Sequence, residues 1–222
     1  PRSVQHGDDY NTLVVANSGE NSVSLLQKAK GSSWNVETYE VGNTPTELIV
    51  TDLNLDGYDD AIVANYVDGT VTVLLSDGNG FNSQATLPIG DLPSSIASGD
   101  FDDDGDFDIA MITGSGAEDR VINILRNDIN LTDYEDLIFA SAQELAAGEN
   151  PLFLNSGDID GDGVVDLITV SGLIDIPGFR GSETSMVSSR HWGESSPCTG
   201  DLDADGDVDV ADLLTLIAAW GN

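Results

Sequence analysis

Pro93-Ser94-Ser95-Ile96-Ala97-Ser98-Gly99-Asp100-Phe101-Asp102-Asp103-Asp104-Gly105-Asp106-Phe107-Asp108-Ile109-Ala110-Met111-Ile112 decides the fold. An apolar run leads into an acidic loop that turns on one glycine, and a second apolar run leaves it. The loop recurs as Asp52-Leu53-Asn54-Leu55-Asp56-Gly57-Tyr58-Asp59-Asp60 and as Asp158-Ile159-Asp160-Gly161-Asp162-Gly163-Val164-Val165-Asp166. A further copy, Asp201-Leu202-Asp203-Ala204-Asp205-Gly206-Asp207-Val208-Asp209, stands near the end of the chain. Each copy places oxygen-bearing side chains at positions 1, 3, 5 and 9, with glycine at 6 for the sharp turn.

Carboxylates held this close repel one another, and they stay ionised together only with a cation among them. An all-oxygen donor set in a flexible loop suits calcium better than magnesium or zinc. The side-chain ligands expected on this ground are Asp52, Asn54, Asp56 and Asp60, then Asp100, Asp102, Asp104 and Asp108, then Asp158, Asp160, Asp162 and Asp166. An EF-hand loop closes on an acidic residue at position 12 and runs into a helix. Here position 12 is Val63, Met111 and Thr169 in the first three loops, so closure falls to position 9. The residues that follow are short β-rich apolar runs, Ala61–Ala64, Ile109–Ile112 and Leu167–Val170, and they read as strands. In the last loop position 12 is Asp212, and Leu213, Leu214, Ile217 and Trp220 follow at helical spacing. That loop belongs to a different module.

Aligned to itself, the chain repeats with the 48-residue spacing that separates Asp52 from Asp100. Val14-Val15-Ala16-Asn17 matches Ile62-Val63-Ala64-Asn65, and runs opening at Pro45, Pro93 and Pro151 precede the three loops. Each unit offers a strand before the loop, one after it, a third around Val71–Leu75 and a weaker fourth near Ala85–Ile89. Glycine turns such as Val67-Asp68-Gly69 and Ser76-Asp77-Gly78-Asn79-Gly80 separate them. Four short strands in a unit of this length is the arithmetic of a β-propeller blade. The expected fold is all-β: a partial β-propeller of about three to four four-stranded blades, followed by a short C-terminal calcium loop-helix.

The proline-led strand, the Asp-x-Asp-x-Asp-Gly-x-x-Asp loop and the strand pair behind it resemble the FG-GAP or VCBS-type repeat over residues 1–172. This is the repeat of integrin α-subunit propellers and many bacterial surface proteins. The resemblance implies calcium held by positions 1, 3, 5 and 9 and by the backbone carbonyl of position 7. Those carbonyls are Tyr58, Asp106 and Val164. The first unit offers Val4, His6, Asp8 and Thr12 at the corresponding places, a set expected to hold no calcium. The first and last units are expected to be incomplete, with residues 173–197 forming degraded strands and a linker. Open sheet edges then imply that more blades precede Pro1 or that copies associate.

Residues 198–222, opening Cys198-Thr199-Gly200-Asp201, resemble one half of a type I dockerin repeat. The resemblance implies a calcium loop with Asp201, Asp203, Asp205, Asp207 and Asp212 as ligands and one following helix. It also implies a cohesin-like or sorting partner, although the family uses two such halves and this chain has one. A short helix that caps the domain is the plain alternative. About four calcium sites are expected in all.

Composition narrows the function. The formal charge of -33, from 40 acidic and 7 basic side chains, excludes nucleic acid as a partner by repulsion from its phosphates. A single cysteine, Cys198, permits no internal disulfide. No apolar stretch reaches membrane-spanning length. Weak calcium loops work where calcium is millimolar, so an extracellular or cell-surface location is expected, with an export signal upstream of Pro1. No enzyme is expected: two histidines and one cysteine leave little for nucleophilic catalysis. The remaining acids, among them Glu118, Asp119, Asp133, Glu135 and Asp136, read as solvated turns. The leading expectation is a secreted calcium-stabilised module for binding or adhesion, with a surface glycan or protein as ligand. The alternatives are a non-catalytic accessory region of an extracellular polysaccharide-degrading enzyme, attached through the dockerin-like tag, and a plain structural spacer.

Overall fold

The computed structural model describes residues 1–7, 11–28, 33–116, 120–127, 139, 143–146, 151–158, 163, 165–172 and 184–187. Among them there is no helix, and the strands form four antiparallel sheets in chain order. The first sheet is β1 (Ser3–His6), β2 (Thr12–Asn17), β3 (Ser22–Lys28) and β4 (Trp34–Glu40). The second is β5 (Pro45–Thr51), β6 (Asp60–Asn65), β7 (Thr70–Ser76) and β8 (Phe81–Pro88). The third is β9 (Ser95–Gly99), β10 (Asp108–Thr113), β11 (Val121–Leu125) and β12 (Gln143–Ala146). The last holds β13 (Pro151–Gly157), β14 (Asp166–Gly172) and β15 (Thr184–Val187). Each sheet is a meander, so every pairing joins sequence neighbours through a hairpin. The first unit, expected to be incomplete, forms a sheet of four strands. β15 falls in the stretch read as degraded strands and linker. The dockerin-like segment 198–222 lies outside the described residues.

The first strand of each sheet packs on the first strand of the next, β1 on β5, β5 on β9 and β9 on β13. That stacking is the geometry of a partial β-propeller, with the leading strands innermost. Two of these leading strands begin at proline and slip register directly afterwards, between Pro45 and Glu47 and between Pro151 and Phe153. Proline brings no N–H to the ladder, so a bulge at a strand end is where it is tolerated. The inner strands of the last two sheets are tied by hydrogen bonds. Leu154 N donates to Ser95 Oγ (3.1 Å), and Ser156 Oγ donates to Ser98 O (2.7 Å).

The apolar runs after the acidic loops now have a physical reason. Every residue of β6 and β10 is buried, because these strands are covered on both faces by neighbouring blades. Alternation divides them between two cores. Ala61 and Val63 of β6 face the first sheet, packing with Val14, Val23 and Leu25. Ile62 and Ala64 face the third, packing with Ile96, Ile109 and Met111. In β10 the other parity, Ala110 and Ile112, packs with Leu154 and Leu167 of the fourth sheet. The outer strands β4 and β8 are mostly exposed. β8 is longer than the weak fourth strand expected near Ala85–Ile89.

A clasp fastens the first blade to the second. Phe81 N donates to Tyr39 Oη (3.1 Å), and Tyr39 Oη donates to Glu37 Oε2 (2.6 Å). The Tyr39 and Phe81 rings meet edge to face, centroids 5.1 Å apart.

Candidate metal centre

The acidic loops join the first strand of a blade to its second, at one end of the stack. In the second blade Asp52 opens the loop by accepting Asp56 N at Oδ1 (3.0 Å) and Gly57 N at Oδ2 (2.9 Å). Asn54 Oδ1 also accepts Asp56 N (3.2 Å), and Asp56 Oδ1 accepts Tyr58 N (2.9 Å). The third blade repeats this closely. Asp100 accepts Asp104 N (3.1 Å) and Gly105 N (3.0 Å), and Asp104 Oδ1 accepts Asp106 N (3.2 Å). In the fourth, Gly163 N donates to Asp158 Oδ2 (3.1 Å). The loop thus folds around its own first aspartate, as Asx-type turns do.

Positions 4 and 6 carry the backbone reversal. Gly57 and Gly105 have φ of 90° and 99°, as the position-6 glycine requires, while Leu55 (φ 58°) and Asp103 (φ 61°) at position 4 are also left-handed. Position 2 anchors the loop: Leu53 and Phe101 are buried in the adjoining cores.

Among the described residues, position 9 is the most enclosed carboxylate in each loop. Asp60 and Asp108 are fully buried, and Asp166 nearly so. Asp60 Oδ2 accepts Leu53 N (3.0 Å) and Oδ1 accepts Ser76 N (2.8 Å). Asp108 Oδ2 accepts Phe101 N (3.1 Å) and Oδ1 accepts Asn127 N (2.9 Å). This aspartate therefore binds the start of its own loop to the end of the third strand, a scaffold role that sequence reasoning missed. A carboxylate oxygen has a second lone pair, so these bonds leave capacity for a cation. Burial is the main force on both groups: it pushes Asp60 up to about 7 and Asp108 up to about 6, against the backbone N–H groups that pull them down.

In the third blade, carboxylate oxygens of Asp100, Asp102 and Asp104 all lie within 4.8 Å of one another. Asp102 Oδ2 pairs with Arg126 Nη1 at 3.2 Å, while its Oδ1 is buried and accepts no hydrogen bond. Burial raises the Asp102 pKa, reinforced by Asp104 and opposed by Arg126. A buried carboxylate oxygen without a donor, beside two further carboxylates, fits a hard cation by charge and by donor chemistry. Asp106 is buried at position 7, whereas Tyr58 at the same position is half-exposed. Asp160, Asp162 and Val164, and the C-terminal set Asp201, Asp203, Asp205, Asp207 and Asp212, lie outside the described residues, as do the acids Glu118, Asp119, Asp133, Glu135 and Asp136.

The residue that sequence reasoning overlooked altogether is Asn127. It is buried, and its Nδ2 donates to Leu53 O (3.1 Å) in the loop of the second blade and to Phe107 O (3.2 Å) in its own. Asn127 takes the place that Ser76 holds in the second blade, at the end of the third strand. That equivalence was the one signal available.

A comparison with curated proteins finds no match to the sequence. Among solved structures, the crystal structure of 1,3Gal43A, an exo-β-1,3-galactanase from Clostridium thermocellum, is similar with a TM-score of 0.46 at 12% sequence identity. The likeness covers 76% of this chain, which spans 41% of that one. Residues 52–111, the second blade's acidic loop through the third blade's second strand, match the family model of the FG-GAP-like repeat, so this segment is similar to repeats of the FG-GAP type.

Proposed function

We propose that this chain is a calcium-binding repeat protein of the extracellular space, without catalysis of its own, that serves binding or adhesion to a surface glycan or protein. The observation that carries this reading is the third-blade loop: three carboxylates gather their oxygens within 4.8 Å, and one buried oxygen among them lacks a donor. Placed there, calcium offsets the repulsion among Asp100, Asp102 and Asp104 and supplies the missing partner of Asp102 Oδ1. The matching hydrogen bonds in the second blade support a second site of the same build, and the sequence supports one in the fourth blade and one at the C-terminus. The same loops fasten the inner strands of the blades, so the cation stabilises the stack that presents the connecting loops to a partner.

Dissociation constants of about 10⁻⁴ to 10⁻³ M are expected, the range of extracellular modules. With free calcium about tenfold above Kd, each site then contributes roughly 1.4 kcal/mol by mass action. Calorimetric titration should give about four sites, counted by the loop motifs, and melts should fall sharply from calcium to chelator. Asp104→Ala should remove one site and leave the others. No heat of binding and no change in melting would sink the proposal.

A further inference from the structure

We infer that a cleft between the first two blades, beside the acidic loop of the second, binds a neutral pyranose ring such as the end unit of an uncharged glycan. The cleft measures about 400 Å³, which suits a ligand of one or two sugar rings. It opens where the shared core of the two blades ends. Val14 and Leu25 of the first blade and Phe81 of the second give it an apolar floor. Tyr58 and the carboxylates of Asp52 and Asp59 stand around it.

Tyr58 is the feature that selects a ring. It is 49% exposed, although it sits in a loop whose neighbours are tied down. One side of its ring lies on Gly78, where an added Cβ would meet Cε1 and sit 2.6 Å from Cδ1. Gly78 has φ of +82°, so the turn is built for glycine and leaves room for the aromatic plane. The ring is thus backed by main chain and held as a fixed platform. The C–H face of a pyranose stacks on such a surface, while its equatorial hydroxyls donate to carboxylates at the edge.

Charge narrows the ligand further. Phosphorylated or acidic ligands meet Asp52, Asp59 and a strongly negative molecule, and among the described residues no lysine or arginine lines the cleft. Asp52 accepts two backbone N–H groups and keeps a lone pair on each oxygen, and Asp59 Oδ2 is packed against Gly7, 2.7 Å from where a Cβ would stand. Both acids stand at the edge of the cleft, placed to accept hydroxyl protons. Between the second and third blades the Asn127 amide bridges the two loops, donating to Leu53 O and Phe107 O.

The inference rests on the binding role proposed above, and it is tested apart from the metal. Saturation-transfer NMR on the full chain would use methyl glycosides of glucose, galactose, mannose and N-acetylglucosamine, with methyl glucuronide and choline as charged probes. At least one neutral glycoside should bind at millimolar concentration. Gly78→Ala and Tyr58→Ala should each weaken that binding about tenfold, and Tyr58→Trp should retain it. The melting temperature of each variant shows that the fold persists. Binding of no neutral glycoside, equal binding by Gly78→Ala and Tyr58→Ala, or preference for glucuronide or choline would overturn the assignment. Glycoside binding that survives in a protein showing no calcium heat would uphold the cleft and defeat the calcium reading.

Discussion

Leu55 and Asp103 occupy the same left-handed position in successive loops, at φ of 58° and 61°. Aspartate tolerates that conformation, whereas a leucine there is strained by its Cβ against the backbone. Leu55 is also 41% exposed, so its side chain returns little packing for the strain. Leu55→Gly should therefore raise stability by about 0.5–1 kcal/mol, read from denaturant melts in saturating calcium; a loss of stability would show that position 4 is held by its side chain. Asp60 is the opposite case, a residue whose burial costs the metal-free protein. Its folded pKa stands near 7, above the ordinary carboxylate value, and Asp108 is displaced the same way. A raised carboxyl pKa means the folded state binds the extra proton. The stability it contributes is present below the unfolded pKa and is lost as pH rises through the folded one. In chelator the protein should accordingly melt higher at pH 5 than at pH 8, with the loss spread from the ordinary carboxylate range up to the folded values of about 6 and about 7 and levelling off above them. In excess calcium, protons compete with the ion and the trend should flatten or reverse. A chelator melt that is level or rising from pH 5 to 8 would contradict the burial of these carboxylates.

Between the loops the working element is the end of the third strand. Ser76 and Asn127 both offer a backbone N–H to a position-9 aspartate, but only Asn127 extends an amide to the neighbouring blade's loop. One side chain therefore holds Leu53 O on one side and Phe107 O on the other. Asn127→Ala removes both bonds and should cost about 2 kcal/mol, within the range for buried groups left unpaired. It should also lower the calcium affinity of two loops at once, measured by calorimetry on the variant. An effect confined to one loop would mean that the amide does not couple them. This is also where the sequence stops being readable. The acidic spacing, the glycine and the apolar runs of β6 and β10 are local patterns, so the strands and loops could be read directly. Asn127 and Tyr39 act on residues 74 and 42 positions away, and no periodicity marks such partners. The scaffold role of Asp60 was hidden for another reason: a carboxylate that accepts backbone N–H groups and one that holds a cation look alike in a motif.

At the scale of the molecule, stability is divided into layers between blades. Consecutive residues of one strand belong to different layers, since Met111 packs toward the second blade and Ile112 toward the fourth. Such a stack behaves as a chain of nearest-neighbour interfaces. The layers end abruptly on both sides. Val4 on β1 and Phe153 on β13, innermost strands of the first and last sheets, are 55% and 65% exposed. A double-mutant cycle resolves the layered design. Ile62→Ala, Met111→Ala and Ile112→Ala each empty a fully buried site and should each cost about 2–5 kcal/mol. Ile62 and Met111 share one core, so their double variant should depart from additivity by about 0.5 kcal/mol or more as the cavities merge and relax. Ile62 and Ile112 belong to different cores, so their costs should sum to within about 0.5 kcal/mol. Measured in saturating calcium by urea unfolding, the opposite ranking of the two couplings would mean that the blades share one continuous core and that alternation along β10 does not partition the energy.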